Sequence, residues 1–299
     1  MSVTAEQVID RAAVHAHFRR AAMSGGSDFL TREIDCRMQE RLEYVRLAPA
    51  RILDLGCGSG PSFSGLQARY PGAHYIGVDL VFADGAIARR GVSGHPAPGK
   101  VPEFPTFLAG DATALPLKEQ CADLIWANLL FPWLTAPPFF AESLRCLAPG
   151  GLLMFSALGP DTLKELRGGF RDGHAHTQAF SDLHDLGDLL LATGFSGPVM
   201  DMEILTLTYE NLETLVRDLR AAGATCAMRA RRRGLAGRAF LETLRTHYER
   251  FRREGRLPAT FEILYGHAWK PDCPPDCRPG DAPVLRAEFR RIMPERGFP

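Results

Sequence analysis

The middle of the chain alternates between short apolar runs and segments whose apolar residues recur at helical spacing. Five such runs are bounded by glycine or polar residues, which is typical of buried strands. Strands that alternate with helices predict βαβ units and a parallel sheet with helices on both faces. The runs cover residues 51–55, 75–79, 106–111, 122–127 and 151–156.

Longer helical patterns lie on both sides of this alternating region. Residues 6–47 have the apolar spacing of two helices, which the glycine-rich stretch 24–27 separates. In the second half, Gly194 follows a leucine-rich segment as a helix stop signal. The elements predicted there are helices over residues 181–193, 212–219 and 240–251 and strands over residues 199–209 and 261–269.

The pattern as a whole predicts one doubly wound α/β domain over residues 1–270. We expect a seven-stranded, mostly parallel sheet, with N-terminal helices over the site. Helical insertions within about residues 160–257 are expected to form a substrate platform. Residues 91–105 are rich in proline and glycine and are expected to form a loop, and residues 271–299 a tail rich in proline and charge.

Composition narrows the class of protein. The chain has 299 residues, 45% of them hydrophobic and 23% charged, and its formal net charge is zero. These values exclude wholesale disorder and a uniformly basic protein that coats nucleic acid. Apolar stretches such as residues 124–134 are shorter than the roughly 20 residues of a membrane-spanning helix. The N-terminus lacks the pattern of a secretion signal, and we expect a cytoplasmic protein without a membrane partner.

The cysteines give no sign of a disulfide framework or a metal site. Seven are present, an odd number at irregular spacing, which favours a reducing compartment. Cys273 and Cys277 form the only close pair in the sequence, without a second cysteine pair or a histidine pair nearby. Because a structural zinc site needs four ligands, we expect no metal.

The most informative motif is the glycine-rich stretch after the first predicted strand. Gly56, Gly58 and Gly60 stand between a strand and a helix, where glycine lets the backbone turn tightly and approach a ligand. A dinucleotide-binding loop has its third glycine five residues after the first, and that position is Pro61 here. The spacing therefore disfavours a pyrophosphate site.

Acidic residues stand at the ends of three successive predicted strands. Asp54 opens the glycine loop, Asp79 lies 21 residues after Gly58, and Asp111 ends the third strand. A carboxylate placed like Asp79 can accept hydrogen bonds from two ribose hydroxyls, and Asp111 can accept one from the exocyclic amine of an adenine. Together they predict a site for a nucleoside without phosphates, and their charge also suits a cationic ligand.

This loop and its carboxylates resemble those of the class I methyltransferases that use S-adenosylmethionine, over roughly residues 45–160. Residues 149–151, Pro-Gly-Gly, match the turn before the fifth strand of these enzymes. The resemblance implies S-adenosylmethionine as the cofactor and S-adenosylhomocysteine as its product. The implied cofactor residues are Asp54, Gly56, Cys57, Gly58 and Gly60 around the amino-acid part, Asp79 and Leu80 at the ribose, Asp111 and Ala112 at the adenine, and Asn128 and Leu129 near the sulfonium.

Four further segments, over residues 155–167, 180–188, 231–235 and 261–270, carry a narrower resemblance. They are similar to segments of the malonyl-[acyl-carrier protein] O-methyltransferases of biotin precursor synthesis, so that this resemblance spans most of residues 10–270. It implies methyl transfer to the free carboxylate of a malonyl thioester on an acyl carrier protein. A carboxylate is already an anionic nucleophile, so positioning and exclusion of water suffice, and we assign no catalytic acid or base.

The N-terminal region departs from the pattern of that family. A tyrosine–aspartate pair usually follows two alanines there, but Ala21 and Ala22 are followed here by Met23. Residues 28–33 and 257–261 instead resemble the related complex I assembly factors, some of which are associated with arginine hydroxylation. Two alternatives therefore stay open: a protein-modifying or assembly factor of that branch, and a cofactor-binding homologue without transferase activity.

A basic segment lies in the second half of the chain. Residues 229–256 contain ten arginines and three glutamates, a local excess of seven positive charges on a neutral chain. Acyl carrier proteins are acidic and their prosthetic arm carries a phosphate, and arginine suits both through bidentate contacts and electrostatic steering. A solvated helix face and an RNA surface are the alternatives; the early arginines lack interleaved aromatic residues, and we expect no nucleic acid. The predicted carrier-binding residues are Arg229, Arg231, Arg232 and Arg233.

Overall fold

The predicted runs are neighbouring strands of one sheet in the computed structural model, which describes residues 8–23, 27–81 and 105–272. The strands are β1 (Arg51–Leu55), β2 (His74–Asp79), β3 (Thr106–Ala109), β4 (Ala122–Ala127), β5 (Leu147–Leu158), β6 (Ser196–Tyr209) and β7 (Leu257–Trp269). They form a seven-stranded sheet in the order β3-β2-β1-β4-β5-β7-β6.

The first five strands are parallel, and β7 is antiparallel to both of its neighbours, β5 and β6. Leu53 of β1 stands opposite Ile76 of β2 and Ile125 of β4, so the carboxyl ends of these strands meet at one edge of the sheet. Ligands bind at this edge in open α/β sheets. The predicted doubly wound, mostly parallel sheet is confirmed.

Eight helices of the described residues surround the sheet, together with the 3₁₀ helices Leu42–Tyr44 and Phe131–Trp133. The second half contributes four helices between β5 and β7, in the region where a substrate platform is expected. The helices are α1 (Arg11–Met23), α2 (Phe29–Arg41), α3 (Phe63–Arg69), α4 (Ala136–Cys146), α5 (Lys164–Arg167), α6 (Leu183–Thr193), α7 (Leu212–Ala221) and α8 (Arg238–Glu249).

Successive residues of the central strands enter two separate hydrophobic clusters, one on each face of the sheet. Leu124 and Trp126 of β4 belong to the cluster that contains residues of α2, α3, α7 and α8. Ile125 and Ala127 belong to the other, which contains residues of α4 and α6. Side chains alternate across a strand, so a strand buried on both faces is apolar throughout. This explains why the strand runs lack a polar alternation.

Local signals fix the ends of α6. The Asp182 carboxylate accepts a hydrogen bond from the backbone N–H of His184 at 2.8 Å and so caps the helix. Gly194 ends it with a left-handed backbone, φ 106°, as the sequence predicts. The helix begins at Leu183 rather than at Ser181, because Asp182 serves as the cap and not as a helical residue.

Some sequence predictions concern residues that are not described. Three predicted parts lie outside the described residues: residues 24–26 in the break between the first two helices, residues 91–104 of the predicted loop, and residues 273–299 of the tail, with Cys273 and Cys277. In the described part of the chain, no helix is long and apolar enough to cross a membrane. No group of three or more potential ligand residues is arranged to hold a metal within that same part.

Candidate active site at the carboxyl edge of the sheet

A cavity of about 1430 Å³ opens at the carboxyl edge of the parallel strands. One part of its wall is formed by α1 and the loops after β1, β2, β3 and β4, and the other by the connections after β5 and by α7. Nine of the eleven predicted cofactor residues line it, and Asp54 and Gly60 do not. The nine are Gly56, Cys57, Gly58, Asp79, Leu80, Asp111, Ala112, Asn128 and Leu129.

The glycine loop turns sharply between β1 and α3. Gly56 and Gly58 have left-handed backbones, with φ of 73° and 51°, which side chains with a Cβ rarely adopt. A Cβ on Gly56 would also lie 2.8 Å from Cδ1 of Leu130. The N–H of Gly60 donates to the carbonyl of Cys57 at 2.7 Å and closes the turn. Glycine is therefore required for the geometry that brings this backbone to the cavity.

Backbone N–H groups hold the Asp79 carboxylate at the end of β2. Oδ2 accepts a hydrogen bond from Gly58 at 2.8 Å, and Oδ1 accepts one from Val81 at 2.8 Å. Burial raises the pKa of Asp79, and the hydrogen bonds oppose that rise. A carboxylate has about four lone-pair sites, so both oxygens keep acceptor capacity toward the cavity.

Asp111 is held from two sides. Its Oδ1 accepts hydrogen bonds from the backbone N–H and the hydroxyl of Thr113, at 2.9 and 2.8 Å, and its Oδ2 forms an ion pair with Arg11. Arg11 belongs to α1 and itself lines the cavity. The sequence offered no signal for this residue, because the contact joins positions 100 residues apart. Helix α1 thus reaches the position expected for the adenine.

Asn128 and Leu129, after β4, are fixed by a small polar network. The Asn128 side chain donates to the carbonyl of Thr31 at 2.8 Å and accepts a hydrogen bond from the Ser156 hydroxyl at 2.8 Å. That hydroxyl in turn accepts a hydrogen bond from the Leu129 N–H at 2.8 Å. Leu129 has a left-handed backbone, φ 53°. The network joins α2, β4 and β5 at the cavity wall.

Asp54 departs from the expectation that it surrounds the cofactor. It lies inside β1, is 2% exposed, and does not line the cavity. Its carboxylate accepts a hydrogen bond from the Tyr75 hydroxyl. Burial, with the charges of Asp35 and Asp79 nearby, raises the pKa of Asp54 to about 8. Asp54 is therefore a buried residue of β1 whose side chain binds Tyr75 of β2.

Gly60 also stands behind the cavity wall. Its φ is 78°, and a Cβ built there would lie 3.7 Å from the ring of Phe107. The residue therefore closes the loop and packs toward β3. Cys57, between the first two glycines, does line the cavity, and burial raises the pKa of its thiol.

The four predicted carrier-binding arginines lie beside the start of α1 and not in the cavity wall. Arg231 pairs with Asp10 at 2.8 Å, and Arg232 pairs with Asp172 at 3.1 Å, so both are tied within the chain. Arg233 is 72% exposed, and its distance of 3.9 Å from Asp10 is longer than that of Arg231. Arg229 is exposed, and its backbone N–H donates to the carbonyl of residue 8 at 2.8 Å.

Ion pairs in the folded protein neutralise part of the positive charge counted along residues 229–256. The acidic partners lie outside the segment: Asp10 pairs with Arg231, Asp172 with Arg232 and Glu213 with Arg245. Sequence counting missed these partners because they lie at least 30 residues away. Arg229 and Arg233 remain the members of the predicted set that are available to a partner.

The sheet order, the antiparallel β7 and the glycine loop with its acidic strand ends define a class I S-adenosylmethionine-dependent methyltransferase fold. Residues 53–155 match the family model described as a methyltransferase domain. The fold is similar to that of the YcgJ protein from Bacillus subtilis, with a TM-score of 0.54 and 14% identity over 79% of this chain and 98% of that chain. At this identity the likeness concerns the fold alone.

Sequence relatives define the family more narrowly. The chain is 43% identical over 290 residues to malonyl-[acyl-carrier protein] O-methyltransferase of Gallionella capsiferriformans (strain ES-2), covering 95% of this chain and 99% of the relative. It is 42% identical over 286 residues to the protein of the same name from Nitrosospira multiformis, covering 90% and 92%. The chain therefore belongs to the malonyl-[acyl-carrier protein] O-methyltransferase family, which confirms the narrower resemblance in its sequence.

Proposed function

We propose that this protein transfers the methyl group of S-adenosylmethionine to the free carboxylate of a malonyl group on an acyl carrier protein, a step of biotin precursor synthesis. The observation that carries the proposal is the end-to-end similarity to relatives that bear this name. The cavity supports it, because about 1430 Å³ exceeds the roughly 300–1,000 Å³ of a site for one small ligand. It has room for a cofactor and an acceptor together.

The ends of β1, β2 and β3 fit S-adenosylmethionine. A Cβ built on Gly58 would meet no atom within 4 Å, so the loop leaves open space at that point. Asp79 offers acceptors for ribose hydroxyls, and Asp111 offers them for an adenine amine. When bound there, S-adenosylmethionine supplies an electrophilic methyl group on a sulfonium. The negative side chains around the cavity suit that positive charge.

The chain's own contribution to the reaction is to place the acceptor and keep water away. The malonyl carboxylate is the nucleophile, so no side chain has to remove a proton. Leu129, Leu163, Leu166 and Phe261 give the wall an apolar character. An apolar wall excludes water from the anion and holds it in line with the methyl group.

Two of these leucines have a backbone conformation that is costly for a residue with a Cβ. Leu129 and Leu163 have φ of 53° and 54°. The Leu129 N–H is held by the Ser156 hydroxyl at 2.8 Å, and the Leu163 N–H donates to the carbonyl of Thr260 at 2.6 Å. Strain of this kind persists only where the surroundings fix it, and it is common at functional sites. The two residues therefore form a rigid part of the wall after β4 and β5.

For the carrier protein, we propose that the docking surface includes exposed arginines beside the start of α1. Arg229 and Arg233 are exposed there, and α1 contains no acidic residue. Such a surface attracts an acidic partner and speeds its association. Arg231 and Arg232, which were predicted for the same role, contribute mainly by holding this surface together through Asp10 and Asp172.

An assay with methyl-labelled S-adenosylmethionine tests the proposal. We expect label on malonyl-acyl carrier protein, less on malonyl-coenzyme A, and none on acetyl-acyl carrier protein, which lacks the free carboxylate. Label on a protein side chain in place of the acyl group would favour the protein-modifying alternative. A chain that binds S-adenosylhomocysteine but labels no acceptor would favour a non-catalytic homologue.

A further inference from the structure

Gln178 is a buried amide on the cavity wall whose hydrogen-bonding groups are only partly used. It lies in the connection between α5 and α6, is 7% exposed, and belongs to the cavity lining. Its Oε1 accepts a hydrogen bond from the backbone N–H of Ala227 at 3.2 Å. Its Nε2 is shielded from solvent and has no hydrogen-bond partner among the described residues. An amide nitrogen carries two donors, and both are unsatisfied here.

The neighbouring backbone fixes the orientation of this amide. The Ala227 N–H can only donate, so the atom that faces it is the oxygen of Gln178 and the nitrogen points away. Ala227 is itself held, because its carbonyl accepts a hydrogen bond from the N–H of Asp10 at 2.7 Å. Turning the amide over would set two donors against each other. Rotation therefore cannot satisfy the free N–H groups.

A buried donor without a partner needs a reason. Leaving one unsatisfied costs about 1–3 kcal/mol, and native proteins pair most of their buried polar atoms. Gln178 belongs to the wall of a cavity, and its Nε2 lies just beneath the surface of that wall. A ligand that displaces the side chains over Nε2 can therefore supply the missing acceptor. The donor restricts the ligand to one that presents an acceptor atom, such as a carbonyl or carboxylate oxygen.

The location of Gln178 separates it from the cofactor residues. Those residues stand at the ends of β1–β4, whereas Gln178 follows β5 in the chain and is tied to the segment after α7. Its neighbours on the wall are Thr177 and Phe180, on the half that the sequence predicts as a substrate platform. The ligand of this amide is therefore expected to be the acceptor.

We infer that Gln178 is a substrate-binding residue whose Nε2 donates a hydrogen bond to the carboxylate of the methyl acceptor. The inference rests on the proposed function, because it takes the acceptor to be a carboxylate. In this arrangement the Gln178 amide binds the carboxylate oxygen that is not methylated. The other oxygen stays free to attack in line with the methyl group.

A neutral donor suits this reaction better than a cation. The attack forms a bond between carboxylate oxygen and methyl carbon and breaks the bond between that carbon and sulfur, so an anion and a sulfonium become a neutral ester and a thioether. A cation on the carboxylate would stabilise the charged ground state more than the transition state. Within the described residues, Arg11 is the one arginine or lysine of the cavity lining, and Asp111 already pairs with it.

Two substitutions test the inference. Gln178→Met removes both N–H donors at similar side-chain length. Gln178→Glu keeps an oxygen that accepts the hydrogen bond from Ala227, but it places a negative charge against the carboxylate of the substrate. We expect the KM for malonyl-acyl carrier protein to rise about tenfold in the first variant and about 100-fold in the second. The dissociation constant of S-adenosylhomocysteine, measured by calorimetry, should stay within about twofold of wild type, because that ligand does not reach the amide.

The matched control is Gln67→Met, an amide outside the cavity lining whose Nε2 donates to the carbonyl of Pro71 at 3.1 Å; it should leave both constants unchanged. Wild-type KM in a folded Gln178→Glu variant, or a loss confined to S-adenosylhomocysteine affinity, would overturn the inference. Thermal melting shows whether each variant is folded. Wild-type protein that binds S-adenosylhomocysteine but methylates no malonyl carrier would instead reject the proposed function, a result visible before any variant is compared.

Discussion

The two parts of the cavity wall hold their polar groups in different ways. We call the part at the ends of β1–β4 the cofactor half and the part after β5 and α7 the acceptor half, after the ligands proposed for them. On the cofactor half, Gly58 and Val81 hold Asp79, and Thr113 holds Asp111, all through loops that leave neighbouring strand ends. On the acceptor half, the wall depends on distant contacts, such as the one between Gln178 and residue 227. The first half follows mainly from a short motif and the sheet that carries it, to which Arg11 and Thr31 add distant contacts with Asp111 and Asn128. The second half depends on the particular tertiary structure of this chain, which is where selectivity for an acceptor is expected to lie.

The largest effect is expected on the cofactor half. Asp79→Ala should weaken S-adenosylhomocysteine binding by about 2–3 kcal/mol, because it removes a charge-assisted bidentate acceptor. The KM for the acceptor, measured at saturating cofactor, should change little. Calorimetry on the folded variant checks the affinity, with Asp161→Ala as control, since Asp161 is exposed and pairs with Lys164. Unchanged affinity would contradict the assignment of Asp79 to the ribose.

A pH-dependent effect is expected from Asp54, the buried carboxyl group of β1. The pKa of Asp54 is raised to about 8 in the folded protein, against about 3.9 when unfolded. Between these values the folded state binds the extra proton, so this group's stabilising contribution is lost as pH rises. Asp54→Asn removes this titration. As pH rises, the free energy of unfolding of the variant should therefore increase relative to that of wild type, by up to about 1.4 kcal/mol per pH unit.

Denaturant unfolding at several pH values between 4 and 8 measures that gap. It should widen steadily across this range and become constant above about pH 8, where Asp54 is ionised in both states. A gap of constant size from pH 4 to 8 would mean that the carboxylate is already ionised in the folded protein at low pH.

A smaller effect distinguishes arginines that hold the structure from those that face a partner. Arg231 and Asp10 are both about one-fifth exposed and lie 2.8 Å apart, so Arg231→Gln should cost about 1 kcal/mol of stability. That corresponds to a fall of roughly 2–4 °C in Tm for a protein of this size. Calorimetric melting checks it, with Arg229→Gln as the matched control. Equal Tm values for the two variants would show that the ion pair does not hold the N-terminal segment.

The smallest effect concerns the carrier protein. Replacing Arg229 and Arg233 together by glutamine should lower kcat/KM for malonyl-acyl carrier protein by roughly fivefold at low salt, through slower association. The value for malonyl-coenzyme A should change much less. The difference should shrink as salt rises from 0.1 M to 1 M, because the screening length falls from about 10 to about 3 Å. Equal losses on both substrates would indicate that these residues shape the cavity.

Local sequence signals predicted the central strands well, and distant pairing explains where strand ends differ. β1 and β4 coincide with their apolar runs, since burial on both faces leaves a continuous apolar pattern. β5 begins at Leu147 and not at Gly151, because its start pairs with Ala122 of β4 and Gly150 donates to the carbonyl of Lys270 at 3.0 Å. These contacts join residues 25 and 120 positions apart and leave no trace in a local pattern.

The candidate site likewise has features that the local sequence predicts and features that depend on distant contacts. Glycine spacing and strand-end acids were enough to predict the turn at Gly56 and Gly58 and the position of the Asp79 carboxylate at the end of β2. They could not predict that Arg11 forms an ion pair with Asp111, or that Asp10 forms one with Arg231. Both contacts depend on how α1 packs across the cavity, and that packing is a property of the whole fold.

Hydrogen–deuterium exchange tests the division of the cavity most directly. S-adenosylhomocysteine alone should protect backbone amides in residues 56–59, 79–81 and 110–113, which line the cofactor half. Malonyl-acyl carrier protein, added next, should protect residues 176–182 and 221–229 and leave the first set unchanged. Protection of both sets by S-adenosylhomocysteine alone, or of the first set by the carrier, would contradict the account of two separate halves.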